Sequence, residues 1–409
     1  MRKSLLVRNA LLLDTVSGDY SETDIRIEDG SVVQTGTALP APENVPAVDL
    51  AGAHVLPGLI DCHVHVIAAT AALADLRRWP QSLVAVHAAR AMGQMLQRGF
   101  TTVRDTGGGD AGLALAQTDG LLSGPRLLYC GHALSQTGGH GDDRQAGEEV
   151  LAPVYSCAAL SRIADGVDAV RTAARDELRK GATHLKVMAS GGVASPTDRI
   201  ESLQYSDDEL RAAVDEAEAV HRYVAAHAYT PEAIARSLRA GIATIEHGNL
   251  LDESSVALLR EHDASVVMNL VTYWAMKQEG AQHGLSAGSL DKNEEVLDGG
   301  RRALGLATAG GVRVGYGSDL LGDMRRHQSA EFRLRAEIIS PLEVIRSATS
   351  TAAEIVRLPG LAGAVAPGSY GDLVVTDADP LDDIGALAEP ARLQMVVQGG
   401  RVVLDRRTA

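Results

Sequence analysis

Two histidines one residue apart, His63 and His65, end the segment Val55-Leu56-Pro57-Gly58-Leu59-Ile60-Asp61-Cys62-His63-Val64-His65. In an extended strand alternate side chains share a face, so the two imidazoles project together, about 6.5 to 7 Å apart along the backbone, and can grip one metal ion. An isolated His-x-His is more often two ordinary histidines. This one gains weight from later apolar runs, which end in Lys186 (Leu185-Lys186-Val187-Met188), His227 (His227-Ala228-Tyr229), His247 (Ile245-Glu246-His247-Gly248) and Asp319 (Gly317-Ser318-Asp319). Charged groups are rarely buried without a partner, so six such residues at strand ends point to a metal site rather than to core packing. The residue types leave the number of ions open. One arrangement is a single metal on His63, His65, His227 and Asp319 with Lys186 a structural lysine; the other is two metals with Lys186 between them.

Two further side chains belong to the same end of the molecule. In Thr137-Gly138-Gly139-His140-Gly141-Asp142 the glycines allow the backbone to turn His140 toward the metals. Tyr229, two residues after His227, shares its face and can donate a hydroxyl to substrate. The plainer readings are a solvated loop histidine and packing at a rim. Cys62 points away from His63 along the same strand and reads as core.

These residues need a scaffold that gathers strand ends. From about Pro57 to Arg357 apolar strands alternate with amphipathic helices, the pattern of a (β/α)8 TIM-type barrel, whose chemistry lies at the C-terminal ends of its strands. Eight strands are expected: Leu56 to Val66, Thr101 to Thr106, Arg126 to Gly131, Thr183 to Ala189, Tyr223 to Ala228, Thr244 to Gly248, Ser265 to Val271 and Arg313 to Ser318. Ser206 with Glu209, and Ser340 with Glu343, predict capping boxes, and Thr230-Pro231 predicts a helix start. Outside this domain, residues 1–56 read as short strands with tight turns: Leu5 to Leu13, Asp24 to Glu28, Ser31 to Gln34 and Ala47 to Leu50. Residues 358–409 repeat the pattern, with Tyr370 to Asp377, Leu393 to Val397 and Arg401 to Leu404. Neither end can bury much surface alone, so the two are expected to pair as one small β-sandwich beside the 57–357 domain.

Composition bounds the partners. The 409 residues are 45% hydrophobic and 22% charged, and Lys and Arg total 38 against 53 Asp and Glu, a formal charge of -15. That balance disfavours nucleic acid or an anionic membrane surface. No stretch approaches the roughly 20 apolar residues of a membrane helix. Cys62, Cys130 and Cys157 are an odd number without paired spacing, which fits free thiols in a reducing compartment, and a cytoplasmic, homo-oligomeric protein is expected.

The chain also resembles the amidohydrolase superfamily, in particular its imidazolonepropionase-like and Xaa-Pro dipeptidase-like metallohydrolases. The likeness rests on Leu56-Pro57-Gly58-Leu59-Ile60-Asp61-Cys62-His63-Val64-His65, Leu185-Lys186-Val187-Met188-Ala189-Ser190-Gly191-Gly192, His227-Ala228, Glu246-His247-Gly248, Gly317-Ser318-Asp319 and the later Gly371-Asp372-Leu373-Val374-Val375. It implies a binuclear centre, zinc being the first choice of metal: His63, His65 and Asp319 on one ion, His227 and His247 on the other, and Lys186 carboxylated by CO2 to bridge them. It further implies hydrolysis of an amide C–N bond, in a dipeptide or N-acyl amino acid, by a metal-bridging hydroxide, with Asp319 as proton shuttle and His140 and Tyr229 as catalytic or substrate contacts. Two loops depart from the dipeptidase pattern, at Arg199 and Leu203 and at Leu320-Leu321-Gly322-Asp323-Met324-Arg325-Arg326-His327. They bear on the small-molecule substrate, for which Arg325 or Arg326 is a candidate carboxylate partner. Lactone, carbamate or cyclic-amide hydrolysis by the same site is the alternative, and a catalytically silent barrel used for assembly is a third reading.

Overall fold

The computed structural model describes residues 4–41, 43–149 and 158–407. Both chain ends enter one eight-stranded sheet, ordered Arg401–Asp405, Leu393–Gln398, Leu373–Thr376, His54–Pro57, Leu5–Leu13, Tyr20–Glu28 and Ser31–Gly36, with Ala47–Asp49 also on Leu5–Leu13. The two ends meet where Leu373 pairs with Pro57 and Thr376 with His54, antiparallel. One face buries Leu5, Val7, Ile25, Val55, Val375 and Met395, apolar surface that neither end could cover by itself.

All eight expected central strands form: β1 (Leu59–Val64), β2 (Phe100–Asp105), β3 (Arg126–Tyr129), β4 (Leu185–Met188), β5 (Val224–Ala228), β6 (Thr244–His247), β7 (Ser265–Met268) and β8 (Arg313–Tyr316). They are parallel and nearly wholly buried, as apolar strands flanked by helices must be. β1 to β3 make one sheet and β4 to β8 another. Backbone bonds span both junctions: Asp319 N and Ser318 N donate to His63 O at 2.9 and 3.3 Å, and Thr183 N donates to Tyr129 O at 2.8 Å. The helix starts fall as expected, with both capping boxes formed and Thr230 capping the helix that opens at Pro231.

The strand bounds shift by a residue or more throughout, and three of the shifts change the path of the chain. The run expected as one strand from Leu56 to Val66 breaks at Gly58, because the chain changes partners there: Gly58 N donates to Asp372 O in the terminal sheet, and Leu59 N to Gly99 O beside β2. Hydrophobicity is the same on both sides of the break and cannot mark it. The third strand stops at Tyr129, and two short strands, Ala133–Ser135 and Ser161–Ile163, extend the second sheet. The seventh stops at Met268, and Val271 opens a helix, Val271–Glu279. Its first amides, Leu270 N and Val271 N, donate to the buried Glu331 carboxylate at 2.9 and 2.6 Å, a cap some sixty residues away in sequence. Among the described residues no helix is long and apolar enough to cross a membrane, and Cys62 and Cys130 are buried free thiols. Cys157 lies outside the described residues.

Gly58 is where the terminal sheet joins the central strands, and a Cβ there would overlap Thr101 Oγ1 and sit 2.8 Å from Asp372 Cβ. Gly58→Ala is expected to cost about 1 to 3 kcal/mol through overpacking, read as a lowered denaturant midpoint. An unchanged midpoint would show that the junction is not close-packed.

Candidate active site

β1 delivers His63 and His65 to the interior on one face, and β8 runs on into Asp319. The three ligand atoms lie within 4.8 Å of one another: Asp319 Oδ1 is 3.4 Å from His63 Nε2 and 3.2 Å from His65 Nε2. Both rings are fixed by their other nitrogen. His63 Nδ1 bonds Glu246 Oε2 at 2.8 Å, and His65 Nδ1 bonds the Gly107 carbonyl at 2.9 Å. An imidazole whose Nδ1–H is held by a carboxylate or carbonyl presents the lone pair of Nε2, the arrangement found around metal-ligating histidines. Burial alone would raise the Asp319 carboxyl, but the His63 and His65 rings outweigh it and hold it well below the usual carboxylate range.

β5 and β6 bring in the remaining rings. His227 and His247 stand 4.4 Å apart between centroids, and His247 is 4.9 Å from His63. His227 Nε2 bonds the Gly191 carbonyl at 3.0 Å, leaving Nδ1 free. His247 has a φ of +77° and Asp319 one of +49°. Such backbone is uncommon outside glycine and marks places where surrounding structure dictates the conformation. At His247 it breaks strand alternation, so that consecutive residues Glu246 and His247 both serve the interior. On β4, Lys186 is 2% exposed, burial lowers its pKa, and its Nζ makes no hydrogen bond or ion pair among the described residues. A buried amine without an anion is costly. The donor set of four imidazoles, one carboxylate and an amine-bearing strand end fits divalent metal, the imidazole and oxygen ligands suiting zinc.

Sequence reasoning missed the groups behind these ligands. Arg104 on β2 is wholly buried; its guanidinium donates to Glu246 Oε1 and to the Cys62 carbonyl, each at 2.6 Å, and to Thr244 Oγ1 at 3.2 Å. Burial would raise the Glu246 carboxyl, yet the Arg104 charge and the His63 bond hold it far below normal. Asp105 accepts from Val66 N, Gly107 N and Gly109 N at 2.7 to 2.9 Å, which sets the loop whose carbonyl orients His65. The sequence signal was the charged pair Arg104-Asp105 closing the short strand Phe100–Asp105, and Glu246 beside His247 in Thr244–His247. Tyr273, on the unanticipated helix, bonds His247 Nδ1 at 3.0 Å and the Tyr229 hydroxyl at 2.8 Å.

His140 reaches the site. Its ring stacks on His227 at 4.2 Å, its Nδ1 bonds Ser195 Oγ at 2.8 Å, and Ser195 in turn donates to Asp198. Burial pushes its pKa down to about 4. Gly192 makes room, since a Cβ there would overlap the ring. Together His65, His140, His227, Tyr229, His247 and Asp319 line a cavity of about 430 Å³, whose remaining wall combines apolar side chains, among them Leu73, Leu160, Met276 and Leu285, with the polar Asp143, Gln145 and Ser289. Among the described residues no Lys or Arg lines it. Arg199 is exposed and paired with Glu201, while Arg325 and Arg326 line a different cavity.

Over residues 54–403 the chain matches the amidohydrolase family. It is 33% identical over 363 residues to an ochratoxinase of Aspergillus niger, covering 85% of this chain and 75% of that one. A prolidase solved in complex with N-methylphosphonate-L-proline is 47% identical, covers 98% of this chain and 100% of its own, and superposes with a TM-score of 0.96. A Xaa-Pro dipeptidase with methionine in its active site is 25% identical over 98% of this chain and 99% of its own, with a TM-score of 0.87.

Glu246→Gln removes the charge between Arg104 and His63 while keeping the shape. Metal affinity, measured by chelator competition, is expected to fall roughly 10- to 100-fold, and the unfolding free energy by about 3 to 5 kcal/mol because Arg104 is left buried and unpaired. Unaltered metal affinity would remove Glu246 from the site.

Proposed function

Because the chain belongs to the amidohydrolase family, hydrolases of C–N bonds that are generally metal-dependent, we propose that it is a binuclear metal-dependent hydrolase of dipeptides or N-acyl amino acids. The carrying observation is the convergence of His63, His65, His227, His247 and Asp319 beside a buried Lys186 that has no partner among the described residues. We read the two parallel sheets as one closed (β/α)8 barrel over residues 57–357, and residues 1–56 with 358–409 as a β-sandwich, a division supported by the bonds across the sheet junctions and by the change of partners at Gly58.

His63, His65 and Asp319 would hold one ion, and His227 and His247 the other. Lys186 as its carbamate would lie between them, since an ammonium is no ligand and a carbamate is an oxygen anion. Bound divalent cations supply Lewis acidity, polarising an amide carbonyl and lowering the pKa of water enough for attack near neutral pH. Asp319 takes the proton of the attacking water on its carboxylate and passes it to the leaving amine nitrogen, so that the C–N bond breaks to a free acid and an amine. His140, stacked on His227 and held by Ser195, lies beside the substrate carbonyl. Tyr229 closes the opposite wall, its hydroxyl already engaged with Tyr273. The apolar part of the wall favours an apolar acyl group. The absence of Lys and Arg from the described lining also favours a second reading, in which a neutral lactone, carbamate or cyclic amide is the substrate.

Lys186→Ala is expected to reduce bound metal from two per chain to one or none and to abolish turnover; one metal per chain in active wild-type enzyme, by elemental analysis, would overturn the bridged centre. Substrate class is decided by comparing a dipeptide or N-acyl amino acid with its C-terminal amide. The free acid is expected to be cleaved at least tenfold better in kcat/KM, since recognition groups left unpaired forfeit binding energy. Equal values, or faster cleavage of neutral lactones and carbamates, would move the assignment to the second reading.

A further inference from the structure

Behind the loop that carries Asp319 lies a second cavity of about 620 Å³, between the helix Gln81–Gln97 and the segment Gly322–His327. Both elements face it with positive charge. On the helix, the exposed Arg90 and Gln94 line the cavity, and Arg98 at the C-cap continues the same four-residue spacing beyond the lining. From the other side comes Arg325. Its Nε donates to the Gly322 carbonyl at 3.0 Å and its Nη1 to the Val66 carbonyl at 3.1 Å. The guanidinium is therefore held rigidly, with Nη2 uncommitted.

Among the described residues none of these three arginines pairs with a carboxylate. Arg90 makes no hydrogen bond or ion pair among the described residues, and Arg98 reaches only the neutral Gln328 side chain at 2.9 Å. Burial lowers Arg98 and Arg325 to about 10; Tyr316 opposes the shift at Arg98 and Asp323 opposes it at Arg325, while the neighbouring guanidiniums add to it less strongly. The acidic groups nearby are accounted for. Glu279 is spent on Arg326 and His327, Asp61 accepts from Ser318 and Gln328, and Asp323, exposed on the same rim, is within ion-pair distance of neither Arg90 nor Arg325. In a chain of formal charge -15, the exposed Arg90 and the backbone-held Arg325 face one cavity whose lining has Asp323 as its acidic group, and among the described residues no carboxylate stands in ion-pair distance of either, so the place can take an anion as counter-charge. Trp79, packed against His87 at 5.4 Å, provides an aromatic wall to the same space.

We propose that this cavity binds a small oxyanion, a phosphate or a carboxylate, between Arg90 and Arg325. The site is separate from the hydrolytic cleft and independent of the reading of its substrate. It meets the cleft at Ala71, which lines both cavities, and at Arg325, which holds the Val66 carbonyl directly after His65, so an anion on Arg325 lies one hydrogen bond from the strand end that presents His63 and His65.

The test is calorimetric titration of the metal-loaded protein with inorganic phosphate and, separately, with benzoate, each against sodium chloride of equal ionic strength. Saturable binding of either at millimolar or lower concentration is expected, and which of the two binds more tightly identifies the source of the oxyanion. Arg90→Ala is expected to weaken that binding at least tenfold while leaving the anion-free Tm unchanged or raised, because it relieves repulsion. Arg90→Glu should abolish binding and raise the anion-free Tm by supplying the missing carboxylate to Arg325. No saturable heat beyond the chloride control overturns the proposal. So does phosphate binding that survives undiminished in both variants, which would assign the anion to the metal centre.

Discussion

The interior is organised by a buried chain of charge that runs from Arg104 through Glu246 to His63. Taking an ion pair out of water is expensive, and apolar replacements of such pairs are often neutral or stabilising by about 1 to 4 kcal/mol. Stability alone therefore does not account for placing arginine and glutamate at the centre of the strands. What the pair achieves is geometric. Arg104 spends its remaining donors on the Cys62 carbonyl and on Thr244, which ties β2 to β1 and β6, and Glu246 is left with one oxygen for His63 Nδ1. The tautomer of His63, and with it the direction of the Nε2 lone pair, follows.

The same device recurs around the site with different residues. Asp105 gathers three backbone amides so that the Gly107 carbonyl meets His65, and Asp198, through Ser195, sets the ring of His140. Lys292 reaches across to Asp198 and to the carbonyls of Gly192 and Ser195, pinning the loop after β4 to the long helix Ala287–Ala309. The rings of His63, His65 and His140 are thus each held by a group that itself is over-determined, the condition for a site whose geometry must not relax. Glycines complete the packing where rings come closest, at Gly192 against His140 and at Gly317, where a Cβ would lie 2.9 Å from His63 Cβ.

Chemistry and selectivity are divided in space. The imidazoles and Asp319 sit on strand ends, while the loops and the helix Val271–Glu279 line the cleft with a mixture of apolar residues such as Leu73, Leu160 and Met276 and polar ones such as Asp143, Gln145 and Ser289. Rigid strands carry what relatives of this fold have in common, and loops carry what distinguishes one substrate from another. The arginines after β8, which the sequence offered as carboxylate partners inside the cleft, face outward into a cavity of their own.

Strand positions, capping boxes and the joining of the two chain ends were legible in the sequence because each depends on local pattern: apolar runs of strand length, Ser206 with Glu209, Ser340 with Glu343, and short alternating strands at both termini. Which side chains converge was legible too, since His63, His65, Lys186, His227, His247 and Asp319 all fall where apolar runs end. What the sequence could not disclose were the partners that these residues find across the fold. Glu246 is 183 residues from His63, Arg104 is 142 from Glu246, and the Glu331 carboxylate that turns Leu270 and Val271 into a helix start is about 60 away. The break at Gly58 was hidden for the same reason, because only the competing carbonyls of Asp372 and Gly99 decide which sheet each side joins. Local periodicity therefore determined which elements form and which side chains reach the strand ends, while hydrogen bonds between residues distant in the chain decided how each ring is oriented and whether the arginines after β8 face the cleft.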